Sequence, residues 1–176
     1  IWGNRSIMSE TQVQLSSEVT QEIDHWLTKF PADQKRSAVV AGLLKAQEDN
    51  GGWLSEGVMQ AVASYLGLAQ IEVYEVATFY DMFELKPIGQ HKIGLCTNIS
   101  CQLRGSDEIA AAMQAKLGVG LGETTPDGRF TLRETECLGA CANAPVCQVD
   151  DKQYHEDLTV ESMQALLDEL AQGGAV

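Results

Sequence analysis

Four of the five cysteines in this 176-residue chain form two tight pairs. Four residues separate Cys96 from Cys101, and three separate Cys137 from Cys141. Cysteine thiolates are good ligands for zinc and iron, so two pairs that meet in the folded chain would complete a four-ligand metal site. Neither pair has the C-x-x-C spacing that thioredoxin-type dithiol chemistry requires.

Four interpretations fit these thiols. Inert buried cysteines are common singly, but four of them in two pairs are unusual. Disulfides are disfavoured in a cytosolic chain, which we expect this to be. One zinc ion held by four thiolates is compatible with both spacings. A two-iron, two-sulfide cluster takes two thiolates on each iron, so two separate and loosely spaced pairs suit it.

The residues around the second pair are small. The segments "CLGAC" and "CANAP" place glycine and alanine beside the thiols, which leaves backbone N–H groups free to stabilise negatively charged sulfur. Gly139 permits a sharp turn, and Pro145 fixes the backbone where the chain leaves the loop. An ordinary tight turn would explain the same residues, so zinc and iron–sulfur both stay open at this point.

The second half of the chain supplies the elements that must position these loops. A short strand, "HKIGL", runs directly into Cys96, and "GRFTLRET" alternates as a second strand. Residues 106–117 and 159–171 have helical periodicity, and "VCQVD" and "KQYHE" predict a hairpin across Asp150 and Asp151. The order β-α-β-β-β-α predicts a small sheet with helices packed on it. Because each pair follows a strand, both loops could leave one end of the sheet.

The first half is predicted to be helical. The segment "QIEVYEVATFYDMF" has strand-like composition, but Ile71, Tyr74 and Thr78 recur at helical spacing, so we favour a helix. Its aromatic residues Phe79 and Tyr80, with Phe83, are expected in the core, or else on a surface that docks on a partner.

Two regions follow from this change of pattern. We predict a helical region over residues 1–88, with 1–14 poorly ordered, and an α/β domain over residues 89–176. His91, just before the first strand, is expected to face solvent.

Charge and hydropathy exclude several kinds of partner. The net charge is −13, from 12 Lys and Arg against 25 Asp and Glu, which argues against nucleic acid. No apolar stretch reaches the roughly 18 residues of a membrane span, so we expect no direct membrane insertion. The N-terminal residues lack the long apolar centre of a signal peptide, which supports the cytosolic expectation.

Nucleotide and catalytic motifs are missing. The segment "GVGLGE" at residues 118–123 follows a helix instead of opening one, and it does not match G-x-G-x-x-G. We therefore expect no NADH or flavin site on this chain and no catalytic residue. His25, His91 and His155 are not spaced to join two cysteines in a Rieske site.

The cysteine pattern resembles that of a known family. C-x4-C followed by "CLGAC" and a nearby "AP" is similar to the thioredoxin-like [2Fe-2S] ferredoxins. More closely, the chain resembles the NuoE-type subunit of bacterial NADH:quinone oxidoreductase, respiratory complex I. The segments "GGWLSEGVMQAVASYLGL", "VYEVATFYDMF" and "DGRFTL" carry the resemblance over nearly the whole chain.

The resemblance implies an α+β fold: an N-terminal helical bundle followed by a thioredoxin-like α/β domain with a small mixed sheet. It implies that Cys96, Cys101, Cys137 and Cys141 ligate a [2Fe-2S] cluster. Cys147 falls outside the pattern and is expected to be a buried strand thiol. A cluster held by four thiolates carries net negative charge, so its potential should lie near the roughly −400 mV of all-cysteine ferredoxins.

The resemblance also implies a setting for the chain. It would carry one electron at a time in an NADH dehydrogenase complex. It would exchange electrons with a partner flavoprotein subunit that binds FMN and NADH. Such a complex would place it on the cytoplasmic side of the inner membrane, as a peripheral component.

Three other functions stay open from sequence. The chain could be the equivalent subunit of an NAD-linked hydrogenase or formate dehydrogenase. It could be a free-standing ferredoxin, although the extra helical half argues against that. It could also be an interaction module held together by zinc, with no redox activity.

Overall fold

The structure, a computed structural model, describes residues 13–173. The expectation of poor order over residues 1–14 therefore falls almost entirely outside the described residues. The chain divides into two compact units between Pro87 and Ile88, the first helical and the second built on a sheet. In the described part of the chain, no helix has the length and apolar character needed to cross a membrane.

From residue 13 onward the helical unit contains four α-helices, and serine caps mark the start of two of them. Ser16 accepts a hydrogen bond from the Val19 N–H, and Ser55 accepts one from the Val58 N–H, so each serine caps a helix start. Gly67 closes the third helix in the left-handed conformation. The helices are α1 (Ser17–Leu27), α2 (Val39–Asp49, after a 3-10 turn at Lys35–Ala38), α3 (Glu56–Leu66) and α4 (Gln70–Phe79).

The apolar stripe of α4 does not lie where the sequence pattern suggested. The segment is helical, as predicted, but Val73 and Ala77 are its buried residues. Ile71 and Tyr74, whose spacing predicted the helix, are exposed. Since Val73 and Ala77 are also spaced by one turn, the periodicity identified the helix but not its buried face.

The aromatic cluster after α4 was expected in the core, and this was wrong for two of its three members. Phe79 is 80% exposed, Tyr80 is also exposed, and only Phe83 is buried. The helix ends at Phe79, and Tyr80 adopts an extended backbone that redirects the chain. The Tyr80 ring still packs edge to face against both Phe79 and Phe83, so the cluster runs from the core to the surface.

The second unit is a four-stranded mixed sheet with helices, in the order β-α-β-β-β-α that the sequence predicted, with one additional short helix. Strand β1 lies between its parallel neighbour β2 and the antiparallel β3, which pairs in turn with β4, giving the order β2-β1-β3-β4. The elements are β1 (His91–Cys96), α5 (Ile99–Leu103), α6 (Ser106–Leu117), β2 (Phe130–Thr135), β3 (Cys147–Val149), β4 (Gln153–His155) and α7 (Val160–Ala171).

One face of this sheet carries the core of the unit. Ile93 and Leu132 from neighbouring strands pack with Met113 of α6 and with Met163 and Leu167 of α7, all essentially without solvent contact. Both long helices therefore share one core with the sheet, and this packing fixes the ends of β1 and β2 in space.

His91 is buried, which corrects the expectation that it faces solvent. It is only 7% exposed, and its Nδ1 atom lies 2.9 Å from a carboxylate oxygen of Asp150. The other carboxylate oxygen of Asp150 accepts a hydrogen bond from the Lys92 N–H. Asp150 and Asp151 both have positive φ, as in a tight hairpin turn, so the β3–β4 turn forms where it was predicted and its Asp150 contacts the start of β1.

The burial of Leu132 in the core predicts that two leucine-to-alanine substitutions differ strongly in their effect on stability. Leu132→Ala removes a side chain with no solvent exposure, and should lower the free energy of unfolding by about 2–5 kcal/mol. The matched control Leu103→Ala, at a position that is 81% exposed, should change it by no more than about 0.5 kcal/mol. Urea unfolding followed by circular dichroism measures both, and equal losses would contradict the burial described here.

Candidate metal centre

Both cysteine pairs lie at one end of the sheet because β1 and β2 run in parallel. Their register pairs His91 with Phe130 and continues to Cys96 opposite Thr135, so both strands end at the same edge. Strand β3 starts from that edge, since Cys147 pairs with Leu95 in antiparallel fashion. The loops that contain the two pairs therefore leave the sheet side by side.

The first pair is buried. Cys96 is the last residue of β1, and Cys101 lies within α5. Both thiols pack with Ala144 and Val146 in a small apolar cluster. The backbone also connects the two loops here, because the Cys96 N–H donates to the Val146 carbonyl at 3.1 Å.

Burial raises the pKa of the Cys101 thiol above its ordinary value. A hydrogen bond with Cys96 and the charges of Cys96 and Cys141 act in the same direction, whereas the backbone hydrogen bond from Val146 lowers it. Three of the four thiols are thus close enough to influence one another. Binding a metal at this position would require release of the thiol protons.

The second pair is exposed. Cys137 comes two residues after β2, and Cys141 opens a 3-10 turn over Cys141–Asn143. Gly139 between them has φ +73°, so the predicted sharp turn uses glycine's left-handed conformation. Its N–H points to the Cys137 sulfur at 3.4 Å, which is the kind of backbone donor expected to stabilise a charged thiolate.

Further contacts hold the two loops together. The Arg104 guanidinium donates to the carbonyl of Ala142 at 3.2 Å, and the Thr97 hydroxyl donates to the Glu134 carboxylate at 2.8 Å. Leu138 and Ala140 from the second loop pack against the buried thiol cluster of the first. The two loops therefore form one continuous surface region.

The donor set fits a binuclear cluster. Within residues 13–173, no three His, Cys, Asp or Glu side chains are grouped so that they could hold one metal ion. A [2Fe-2S] cluster does not need such a group, because each of its irons takes two thiolates. Two adjacent pairs of thiols, with backbone N–H groups directed at their sulfurs, match that requirement.

Sequence reasoning missed the short helix α5. The sequence predicts a loop after β1 for the first pair, whereas Cys101 lies on a helix that begins at Ile99. The Asn98 side chain accepts a hydrogen bond from the Ile99 N–H at 2.7 Å and caps this helix. Asparagine at that position was a readable N-cap signal, but five residues are too few for periodicity to be detected.

The fifth thiol lies in the sheet, outside both cysteine loops. Cys147 is in β3 between Leu95 of β1 and His155 of β4, with no solvent exposure, as the sequence predicted for a strand thiol. Burial raises its pKa to about 12. It is therefore protonated at neutral pH and behaves as a small apolar side chain.

The sheet order and the paired thiols at its edge define a class: a ferredoxin built on a thioredoxin-like domain. The family described as thioredoxin-like [2Fe-2S] ferredoxin matches residues 23–171, which is most of the chain. The chain belongs to this family, and the predicted α+β fold with a thioredoxin-like domain is confirmed.

Named relatives extend the match. The chain is 51% identical over 144 residues to the E subunit of NADH-quinone oxidoreductase from Rickettsia conorii, covering 82% of this chain and 86% of the relative. It is 43% identical over 160 residues to the mitochondrial NADH dehydrogenase [ubiquinone] flavoprotein 2 of Dictyostelium discoideum, covering 91% of this chain and 64% of that protein.

A solved structure shares the fold. The chain is similar to the NAD+-reducing [NiFe]-hydrogenase in its air-oxidized state, with a TM-score of 0.66 and 20% sequence identity. The match covers 75% of this chain and 23% of the hydrogenase chain. At this identity the likeness shows the fold alone.

The raised pKa of Cys147 predicts a pH dependence of stability. Its thiol has a pKa near 8.5 in an unfolded chain and about 12 when folded. In the folded state the Cys147 thiol therefore keeps its proton to a higher pH than in the unfolded chain. The contribution of this neutral thiol to the free energy of unfolding is complete below about pH 8.5 and is lost as the pH rises towards 12. Between about pH 8.5 and 10 the loss should reach about 2 kcal/mol.

Urea unfolding at several pH values measures this effect. The variant Cys147→Ala lacks the group and should lose about 2 kcal/mol less than the parent chain over the same range. Parallel pH profiles for the two proteins would show that Cys147 is not buried as described.

Proposed function

We propose that this chain is the one-electron-carrying [2Fe-2S] subunit of an NADH:quinone oxidoreductase complex. The observation that carries the proposal is the position of two thiol pairs at one end of the sheet, in a chain of the thioredoxin-like [2Fe-2S] ferredoxin family. The 51% identity to the E subunit of a bacterial NADH-quinone oxidoreductase supports the assignment to that enzyme.

The proposed ligands are Cys96, Cys101, Cys137 and Cys141. When bound, a [2Fe-2S] cluster supplies one-electron redox chemistry. This chain's contribution is to hold four thiolates and to direct backbone N–H groups at them, as Gly139 does for Cys137. We assign residues 89–176 to this cluster domain.

The proposed partner is a flavoprotein subunit that binds FMN and NADH. We assign docking to the helical region, residues 1–88, because it exposes Ile71 and Tyr74 on α4 together with Phe79 and Tyr80. Exposed aromatic side chains are enriched in protein interfaces. The setting would be peripheral, on the cytoplasmic side of the inner membrane.

The alternative that shares the same chemistry is a subunit of an NAD-linked hydrogenase. The fold likeness to an NAD+-reducing hydrogenase motivates it, but the identity to that protein is only 20%. Purification of the native complex separates the two, because a [NiFe]-hydrogenase complex would yield nickel and reduce NAD+ with hydrogen, and an NADH:quinone oxidoreductase would do neither.

The cluster assignment predicts a defined metal content. Purified without oxygen, the chain should contain about two irons and two acid-labile sulfides, because four thiolates complete one binuclear cluster. The oxidised protein should be EPR-silent, and dithionite should produce one spin-half signal. Zinc without sulfide, in a colourless protein, would instead support the zinc-held interaction module.

Cysteine substitutions test the ligand set. Cys137→Ser should lose the cluster or bind it weakly, since it replaces a proposed thiolate with a poorer ligand. Cys147→Ser is the matched control, because this thiol lies within the sheet, and it should retain the visible absorbance and iron content of the parent chain. Equal loss of iron from both variants would contradict the assignment of the fifth cysteine.

A further inference from the structure

Helix α5 presents two large apolar side chains to solvent beside the cysteine loops. Ile99 is 66% exposed and Leu103 is 81% exposed. They are four positions apart, at i and i+4, so they lie on the same face of the helix. Cys101, midway between them, is buried and points the opposite way. We call Ile99 and Leu103 the α5 apolar pair.

The α5 apolar pair adjoins both proposed ligand loops. Arg104 follows Leu103 directly, and its guanidinium donates to the carbonyl of Ala142, the residue after Cys141. Ile99 is preceded by Thr97 and Asn98, and the Thr97 hydroxyl donates to Glu134 at the end of β2. The pair is therefore continuous with the surface on which Cys137 and Cys141 are exposed.

Carboxylates border this surface. Glu134 is bonded to Thr97, Asp107 accepts from the Gln102 amide at 3.4 Å, and Glu156 accepts from the Asn143 amide at 2.9 Å. Glu136, next to Cys137, is also exposed. Arg104 adds one guanidinium beside Leu103, and these four carboxylates outnumber it. An apolar centre with a net acidic border is complementary to a partner surface that is apolar at its centre and basic around it.

We infer that the α5 apolar pair is the contact through which this end of the sheet docks on the flavin-bearing subunit, at an apolar patch bordered by Lys or Arg. The inference rests on the proposed function. The inference extends that proposal: besides the aromatic surface of the helical region, the cluster domain contributes a second docking contact. Large apolar side chains at the centre of an interface contribute most when they are fully desolvated.

The acidic border also argues against a second copy of this chain as the occupant. A two-fold contact between identical surfaces would bring each carboxylate border against its own copy. Like charges across an interface disfavour association, and the chain as a whole carries −13. A basic partner removes this repulsion.

Binding of the cluster-loaded chain to the partner tests the inference. The probe is the FMN- and NADH-binding flavoprotein from the same genome, and calorimetry gives the Kd. Leu103→Glu should raise the Kd by about tenfold or more, and Leu103→Ala should raise it in the same direction. Added salt should also raise the Kd of the parent chain, since salt screens the attraction between complementary charges.

A matched control separates docking from added charge. Gln172→Glu adds one carboxylate beside Gln90 and Arg129, at the end of α7 and the far end of β1, and should leave the Kd unchanged. Each variant should keep the parent's visible spectrum and its full reduction by dithionite, which needs no docking. Reduction by NADH through the flavoprotein should be slower only in the Leu103 variants.

The outcomes separate the proposed function from the docking contact. If the parent chain neither binds the flavoprotein nor is reduced through it, the proposed function is wrong and the inference fails with it. If the parent binds and both Leu103 variants bind equally well, the inference alone is overturned. A parent dimer that Leu103→Glu dissociates would also overturn it, by showing that a second copy covers the pair.

Discussion

The parallel pairing of β1 with β2 is the constraint on which the candidate site depends. Cys96 is the last residue of β1 and lies opposite Thr135, the last residue of β2, so the two cysteine loops begin at adjacent points. A register shifted by one residue would turn every side chain of β1 to the other face of the sheet. Ile93 and Leu95 would then leave the core, so the hydrophobic packing that stabilises the domain also holds the thiols together.

The two thiol pairs have different environments, and each follows from the element that carries it. Cys96 and Cys101 lie on a strand and a helix, within an apolar cluster that excludes water. Cys137 and Cys141 lie on an irregular loop whose turn depends on Gly139. A buried pair on regular elements is held in position by packing, whereas an exposed pair on a loop leaves one side of the site open to a partner. The asymmetry suits a centre that must be both stable and accessible to electrons.

Local pattern predicted the elements of the second half well, because strand alternation and helical periodicity are properties of short segments. The helix at residues 106–117 and the turn at Asp150 and Asp151 are examples. Pattern failed where the outcome depends on contacts distant in sequence. His91 is buried beside Phe130 and bonded to Asp150, in a turn nearly sixty residues later. The exposure of Phe79 was also beyond local pattern. An apolar stripe indicates a helix face that avoids water, but packing in the core and packing against a partner both satisfy that requirement.

That ambiguity bears on whether the chain acts alone. A ferredoxin that diffuses between partners would need only the domain that contains the thiols, and its surface would be best kept polar. This chain instead exposes Phe79 in the helical unit and Leu103 in the sheet unit, within an otherwise strongly acidic sequence. Contact of such large apolar side chains with water is unfavourable, and burial against another surface removes that free-energy cost. Their presence in both units favours a chain that works as a subunit, with contacts to its complex from each of its two parts.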